Sequence, residues 1–295
     1  MKYSRLIIIL SVIIFSCTKK DIPFIPSNSY TGFLDSVSTF SGDSAIATGL
    51  YQTFRFSYDA GKRVDRMYVS STIEDRWYTF FYNATDNNPY FIIDSMLSKL
   101  GSRSAWVSKH HLSYDGQGNK IKDSSYQYLI DTASKIILRR DDLGVLTFIY
   151  SPTTLLVKKN NNFYDSIYFN SNADVIKATN GGVTVNFAGH YLNNDNPLSK
   201  LNISQAATRI ISFFGTSVYP LAEIDILQYK HFFTKAVGTN DTFYYCASGE
   251  TTEVSCSYAT NAGNQIETLV IPHYSYRNNQ FCSKFYSNIK FYYHP

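Results

Sequence analysis

Cys246, Cys256 and Cys282 lie close together in the last quarter of the chain, and thiols so placed could form a disulfide or hold a metal. They include no Cys-x-x-Cys pair and no histidine at zinc-site spacing, so the sequence predicts no metal centre. If Thr242 to Ala247 and Glu253 to Ala259 pair around a turn at Glu250 to Thr252, Cys246 faces Cys256. A cross-strand disulfide there would contribute about 2–3 kcal/mol by loop closure and leave Cys282 over. The six histidines (His110, His111, His190, His231, His273, His294) are scattered, and the adjacent pair points to opposite faces of a strand, so its rings cannot grip one ion. There is no Gly-x-Ser-x-Gly elbow, no His-Glu-x-x-His and no phosphate-cradling glycine loop. Neighbouring carboxylates such as Glu74 and Asp75, or Glu250 and Glu253, read as solvated loop residues. The prediction is no catalytic residue and no cofactor. Two distant carboxylates leave no local mark, so a glycan-directed hydrolase is the alternative from another class.

The aromatic supply is the other chemical resource. The chain holds 25 tyrosines and 21 phenylalanines against 17% charged residues, a bias that suits pleated, half-buried surfaces. Most alternating aromatics belong to a core. Trp77, Trp106 and the tyrosine-rich C-terminal edge (Tyr274, Tyr276, Tyr286, Tyr292, Tyr293) are candidates to stack on sugar rings or anchor a protein partner. The formal charge of +4 halves once the leader cations Lys2 and Arg5 are set aside, and no basic block could neutralise a row of phosphates, which excludes nucleic acid.

Residues 1–16 read as a leader: a basic start, then Leu6 to Phe15 with only Ser11 polar, far short of the roughly 20 residues a spanning helix needs. The Ile14-Phe-Ser-Cys17 tail resembles a bacterial lipobox, in which the cysteine receives the lipid. That resemblance implies a mature chain beginning at Cys17, attached through its lipid to a membrane surface, with outer-membrane and surface-exposed placement. Residues 17–29, with Pro23 and Pro26 and few apolar contacts to offer, form a tether, and 30–295 a single large β domain.

That domain is organised around one recurring pattern. In Phe54-Arg-Phe-Ser-Tyr-Asp-Ala-Gly-Lys-Arg-Val64, alternating aromatics run up to Tyr58, Asp59 to Gly61 carry turn chemistry, and a second alternating run leaves at Val64. Looser copies stand at Tyr114-Asp-Gly-Gln-Gly118 leading to Ile121, with one extra loop residue, at Tyr150-Ser-Pro leading to Leu156, and at Tyr168 to Asp174 leading to Val175. Short connections favour antiparallel neighbours. Two departures from strand are expected: the second half of Tyr90 to Leu100, and Leu201 to Phe214, whose Ile203, Ala206, Ala207, Ile210 and Ile211 lie on one side of a helix beginning near Pro197. The fold class is therefore all-β, an antiparallel meander of hairpins forming a curled sheet or open barrel, with one or two short helices.

With the Cys17 motif, the Tyr58-Asp59-x-Gly61 hairpins and the Asp195-Asn-Pro-Leu198 segment, the chain resembles the tyrosine-aspartate hairpin lipoproteins of Bacteroidota, a family of unknown function. The resemblance implies a long meander on the envelope and no catalytic residue. Asp followed by Ser or Thr and a small or aliphatic residue recurs at Ser36, Ser44, Ser95, Thr132 and Ser166, and is similar to the O-glycosylation acceptor of the same bacteria. The reading is a non-enzymatic, lipid-anchored envelope module that binds a glycan or an envelope protein, or serves structurally. Beside the hydrolase stands a hydrophobic-ligand carrier, which would need a dry cavity.

Overall fold

The structure is a computed structural model that describes residues 32–42, 49–101, 103–180, 183–211, 230–241, 250–277 and 280–295. Its first half holds β1 (Leu34–Gly42), β2 (Gly49–Tyr58), β3 (Val64–Ser71), β4 (Glu74–Phe81), β5 (Phe91–Ser98), β6 (Ser104–Tyr114), β7 (Lys120–Asp131) and β8 (Ile137–Ser151). The second half holds β9 (Thr154–Lys159), β10 (Asn162–Phe169), β11 (Val175–Asn180), β12 (Val183–Asp195), β13 (His231–Asp241), β14 (Glu250–Ser255), β15 (Ser257–Thr260), β16 (Ile266–Arg277) and β17 (Gln280–Tyr293). Strands from β1 to β14 each pair antiparallel with the next in sequence, and β14 and β15 form one interrupted stave against β16. β16 pairs with β17, and β17 returns to β1, with Thr39 opposite Ile289. The meander thus closes into a sixteen-stave antiparallel barrel. The tyrosine-rich C-terminus is not an edge, because β1 covers it.

Four hairpin turns at one end of the barrel are copies of one another. Asp59, Asp115, Asn170 and Asn261 each open a five-residue turn in which their side-chain oxygen accepts the backbone N–H four residues on: Arg63, Asn119, Asp174 and Gln265. The fourth residue of each turn has positive φ: Lys62, Gly118, Ala173 and Asn264. A register shift precedes each turn, pairing Tyr58 with Val64, Tyr114 with Lys120, Phe169 with Val175 and Thr260 with Ile266. A short polar side chain that bonds its own backbone favours this geometry, which is why Asp or Asn opens every copy.

The turns fall on β2–β3, β6–β7, β10–β11 and β15–β16, one every four staves. This corrects the sequence reading in three places. Tyr150-Ser-Pro is a tight connection in which Ser151 pairs with Thr154, not a copy. The third copy aligns on Phe169 rather than Tyr168, and the Tyr114 copy carries no extra residue: Lys120 takes the buried position, while Ile121 is exposed.

Alternation gives the wall two faces. One row of partners, Phe56, Met67, Tyr78, Asp94, Ser108 and Gln127, runs along the inside of β2 to β7. Phe54, Phe56, Tyr78, Ile92, Leu155, Ile167, Leu269 and Phe291 are buried on that inner face and belong to one continuous core. Burying each such side chain contributes about 1.5–3 kcal/mol. The outer face carries Arg55, Arg66, Lys109, Lys177, Lys235 and Lys290 on six different staves. Cations would each cost about 2–4 kcal/mol at a bilayer midplane and about 0–1 kcal/mol near its interfaces.

The connection from β12 to β13 enters the barrel end. It holds a 3-10 turn, Pro197–Lys200, capped by the Asn196 side chain, and one α-helical turn, α1 (Ser204–Ala207). Leu198, Ile203, Ala206, Ala207 and Ile211 are buried among the barrel's own apolar side chains. The long helix expected over Leu201 to Phe214 is thus four residues, and residues 212–229 lie outside the described part. The helical pattern is real but serves a plug: Thr208 has already left the helical region and Arg209 has positive φ, because their groups are drawn to the wall. Lys120 Nζ donates to the carbonyls of Ala206 and Thr208, Arg209 pairs with Asp165, and the Val64 N–H donates to Asn202 Oδ1. The other expected helical stretch, after Tyr90, is strand β5. Pairing on both sides with β4 and β6 overrides its local period.

Candidate functional site

On a wall with one buried face, alternation puts every second residue in water, where polar side chains are the default. From β3 to β8 the outward positions are instead rich in rings. One register row reads Arg55, Tyr68, Trp77, Ser95, Val107, Tyr128 and Arg140 across seven staves. Tyr68 and Trp77 lie with ring centroids 5.5 Å apart, and Trp77 is 38% exposed. Toward the turn end, Phe81 meets Phe91 at 5.5 Å, Phe91 meets His111 at 4.7 Å, and His111 meets Tyr126 at 5.9 Å. Tyr126 and Tyr128 then touch edge to face at 5.4 Å. Lys109 Nζ stands 5.6 Å from the Tyr128 ring centre and the Arg140 guanidinium 5.3 Å from that of Tyr126, within cation–π range.

The rings are held by their own wall. Asp75 accepts from Tyr68 Oη at 2.8 Å and Ser70 Oγ at 2.9 Å and pairs with Lys99 Nζ at 2.9 Å. Burial pulls the Asp75 carboxyl upward, but Lys99, Tyr68 and Ser70 together hold it below the usual carboxylate range. Tyr68 moves the other way, raised by burial and by Asp75, so its hydroxyl stays a donor. Beside this end of the strip, Leu50, Thr53, Arg55, Tyr68 and Ser70 border a surface recess of about 390 Å³. A fixed row of half-buried and exposed rings flanked by cations can stack planar or pyranose groups and pair with anions.

The inner face carries a second constellation. Arg76 lies 3.8 Å from Glu74 and 3.6 Å from Asp94, ion pairs too long for hydrogen bonds, and donates to Tyr78 Oη at 3.2 Å. Burial pushes the Asp94 carboxyl up to about 6, against the pull of Arg76 and His110. His110 Nδ1 is 3.1 Å from Asp123. Glu74 and Asp94 therefore share one guanidinium between them.

The predicted residues are dispersed. Trp77 stands on the outer strip, but Trp106 pairs with Met96 and Leu129 on the inner face, so the two tryptophans do not form one patch. Tyr274 and Tyr286 are outward with Lys284 over both rings, whereas Tyr293 turns inward and donates to the Ile266 carbonyl. Cys256 is buried at the β14–β15 break, its N–H donating to the Thr234 carbonyl, and burial pushes its thiol up. Glu250–Thr252, expected as a turn, lies in β14 and pairs with β13. Cys246, Cys17 and Ser44 lie outside the described residues. Ser36 and Ser95 are half-buried on the outer face, and Thr132 donates to the Arg103 carbonyl in a turn. Ser166 is 1% exposed and bonded to Thr179 Oγ1, closed to a glycan on the folded chain. His110 and His111 do point to opposite faces.

Sequence reasoning missed Lys109, His111, Tyr126, Tyr128 and Arg140. Alternation of Tyr126 with Tyr128 was visible, but alternation does not say which face is wet.

No family model matches the chain, and no curated protein matches it. Among solved structures it is similar to a porin-like protein from Bacteroides uniformis, at 12% identity and a TM-score of 0.38, over 91% of this chain and 99% of that one.

Proposed function

We propose that this chain is a non-enzymatic, lipid-anchored module of the cell envelope that binds a glycan along the outer wall from β3 to β8. The observation that supports the reading is the ladder of rings on a face that packing does not require, with Trp77, 38% exposed, lying beside Tyr68 near its β3 end. Fixed aromatic rings lose little conformational freedom on binding and match the apolar faces of sugars. Lipidation at Cys17 and the tether that follows would hold this wall clear of the membrane. The four Asp- or Asn-opened turns support the likeness to the tyrosine-aspartate hairpin lipoproteins. A hydrolase fits less well, because Glu74 and Asp94 share Arg76. A hydrophobe carrier fits less well too, since Leu198, Ile203, Ala206 and Ile211 of the plug occupy one end of the barrel core.

The test is a glycan array probed with the full chain in mild detergent beside a Trp77→Ala variant. Saturable binding that drops at least tenfold in the variant is the expected result. A blank array, or binding indifferent to Trp77, would overturn the reading.

A further inference from the structure

We infer that the ligand of the outer strip is an acidic glycan whose sugar rings lie on Tyr68, Trp77 and Tyr128 and whose anionic groups pair with Arg55, Lys109 and Arg140. The inference rests on the binding role proposed above and names the class of ligand.

Charge on the strip is unbalanced. On the barrel surface Arg63 meets Asp59 at 2.7 Å, Lys99 meets Asp75 at 2.9 Å and Lys235 meets Glu253 at 2.9 Å, whereas Lys177, Lys284 and Lys290 lie over aromatic rings. Among the described residues, Arg55, Lys109 and Arg140 form no such pair, and Lys109 and Arg140 lie instead over tyrosine rings. The carboxylates on the same wall are already engaged. Asp75 serves Lys99, Tyr68 and Ser70, while Asp142 accepts the Gly144 N–H at 2.8 Å. Burial also pulls the Lys109 ammonium below its ordinary value with no acid to raise it, a deficit that a bound anion would relieve.

The geometry favours an extended sugar chain over other polyanions and over protein. Arg55 and Arg140 stand at the two ends of one register row, six strand spacings of about 4.8 Å apart, so roughly 30 Å of wall lies between them. Three cations over that length are too sparse for a phosphate backbone but suit a polymer with one anion per sugar or per few sugars. A peptide strand has no edge to join, because β1 and β17 close the barrel.

Titration calorimetry on the full chain in detergent tests this with polygalacturonate, its fully methyl-esterified form, heparin and a thymidine oligonucleotide. Polygalacturonate or heparin should bind at least tenfold tighter than the ester. The Arg55→Gln, Lys109→Gln, Arg140→Gln triple variant should lose that margin with its thermal midpoint unchanged, while Lys284→Gln should bind like the parent. Equal binding of acid and ester, abolished by Trp77→Ala, would overturn the acidic class and leave the glycan reading standing. Absence of binding to every polymer here and on the array would sink both. Oligonucleotide binding as tight as that of the acidic glycans, or equal losses in Lys284→Gln, would mean unspecific attraction of polyanions and would also overturn the inference.

Discussion

Lys120 occupies in its hairpin the position that Val64 occupies in the first, and both side chains are fully buried. The lysine is accommodated because its ammonium donates to the Ala206 and Thr208 carbonyls and stands 4.4 Å from the Phe148 ring centre. The wall thus grips the plug through a charge.

Replacing that residue by methionine, Lys120→Met, keeps the volume and removes the donor. Charge-assisted hydrogen bonds to backbone are worth about 1.5–3 kcal/mol each, and the orphaned carbonyls partly regain water. The expected loss is about 2–4 kcal/mol in urea unfolding, with faster amide exchange in residues 198–211 than in β2–β3. Uniform exchange, or no loss of stability, would show that the plug is held by its apolar residues alone.

Ala173 sits at φ 62°, where its turn copy at 118 has glycine. A non-glycine residue there costs about 1–2 kcal/mol. Ala173→Gly should therefore raise stability by about 1 kcal/mol and the thermal midpoint by about 2 °C, after the entropy of the added glycine is subtracted. Gly118→Ala should do the reverse, and more, since its new Cβ would lie 3.1 Å from Asn88. A midpoint that falls in Ala173→Gly would contradict the shared turn geometry.

Asp94 should make stability depend on pH through the native state. Its folded value is raised to about 6, above its unfolded one, chiefly by burial. Between pH 6 and 4 the folded chain holds a proton that the unfolded chain has released, so this group favours folding as pH falls through that window and disfavours it by roughly 3 kcal/mol at neutral pH. Buried His273, lowered to about 3 by burial, acts in the opposite sense: its contribution is lost as pH falls from 6.5. The raw profile mixes the two, and the difference between parent and Asp94→Asn isolates the first. The variant should be about 2 kcal/mol more stable at pH 7.5, and indistinguishable at pH 4. A constant gap across pH would rule this out.

The meander and its first hairpin were legible because Tyr58, Asp59 and Val64 combine alternation with turn chemistry inside eleven residues. The fourth copy was not, since Thr260 stands where an aromatic was sought, although Asn261 makes the same bonds. Barrel closure depends on Thr39 meeting Ile289 from opposite ends of the chain, a pairing no local pattern encodes. The plug kept its apolar period but not its helix, because Lys120 and Asp165 on distant strands claim the groups at Thr208 and Arg209. Trp77 was identifiable as a binding candidate from its type alone. Its separation from Trp106 was not, for a single register step decides which face each one takes.

The outer strip is tested most directly by fluorescence, because the chain has two tryptophans and they stand on opposite faces. In a Trp106→Phe chain, Trp77 is the sole indole reporter. Titration with the tightest-binding glycan should shift its emission to shorter wavelength, saturating at the same concentration as the calorimetric isotherm, and should protect it from acrylamide. Calorimetric binding with Trp77 emission and quenching unchanged would place the ligand elsewhere and contradict the account.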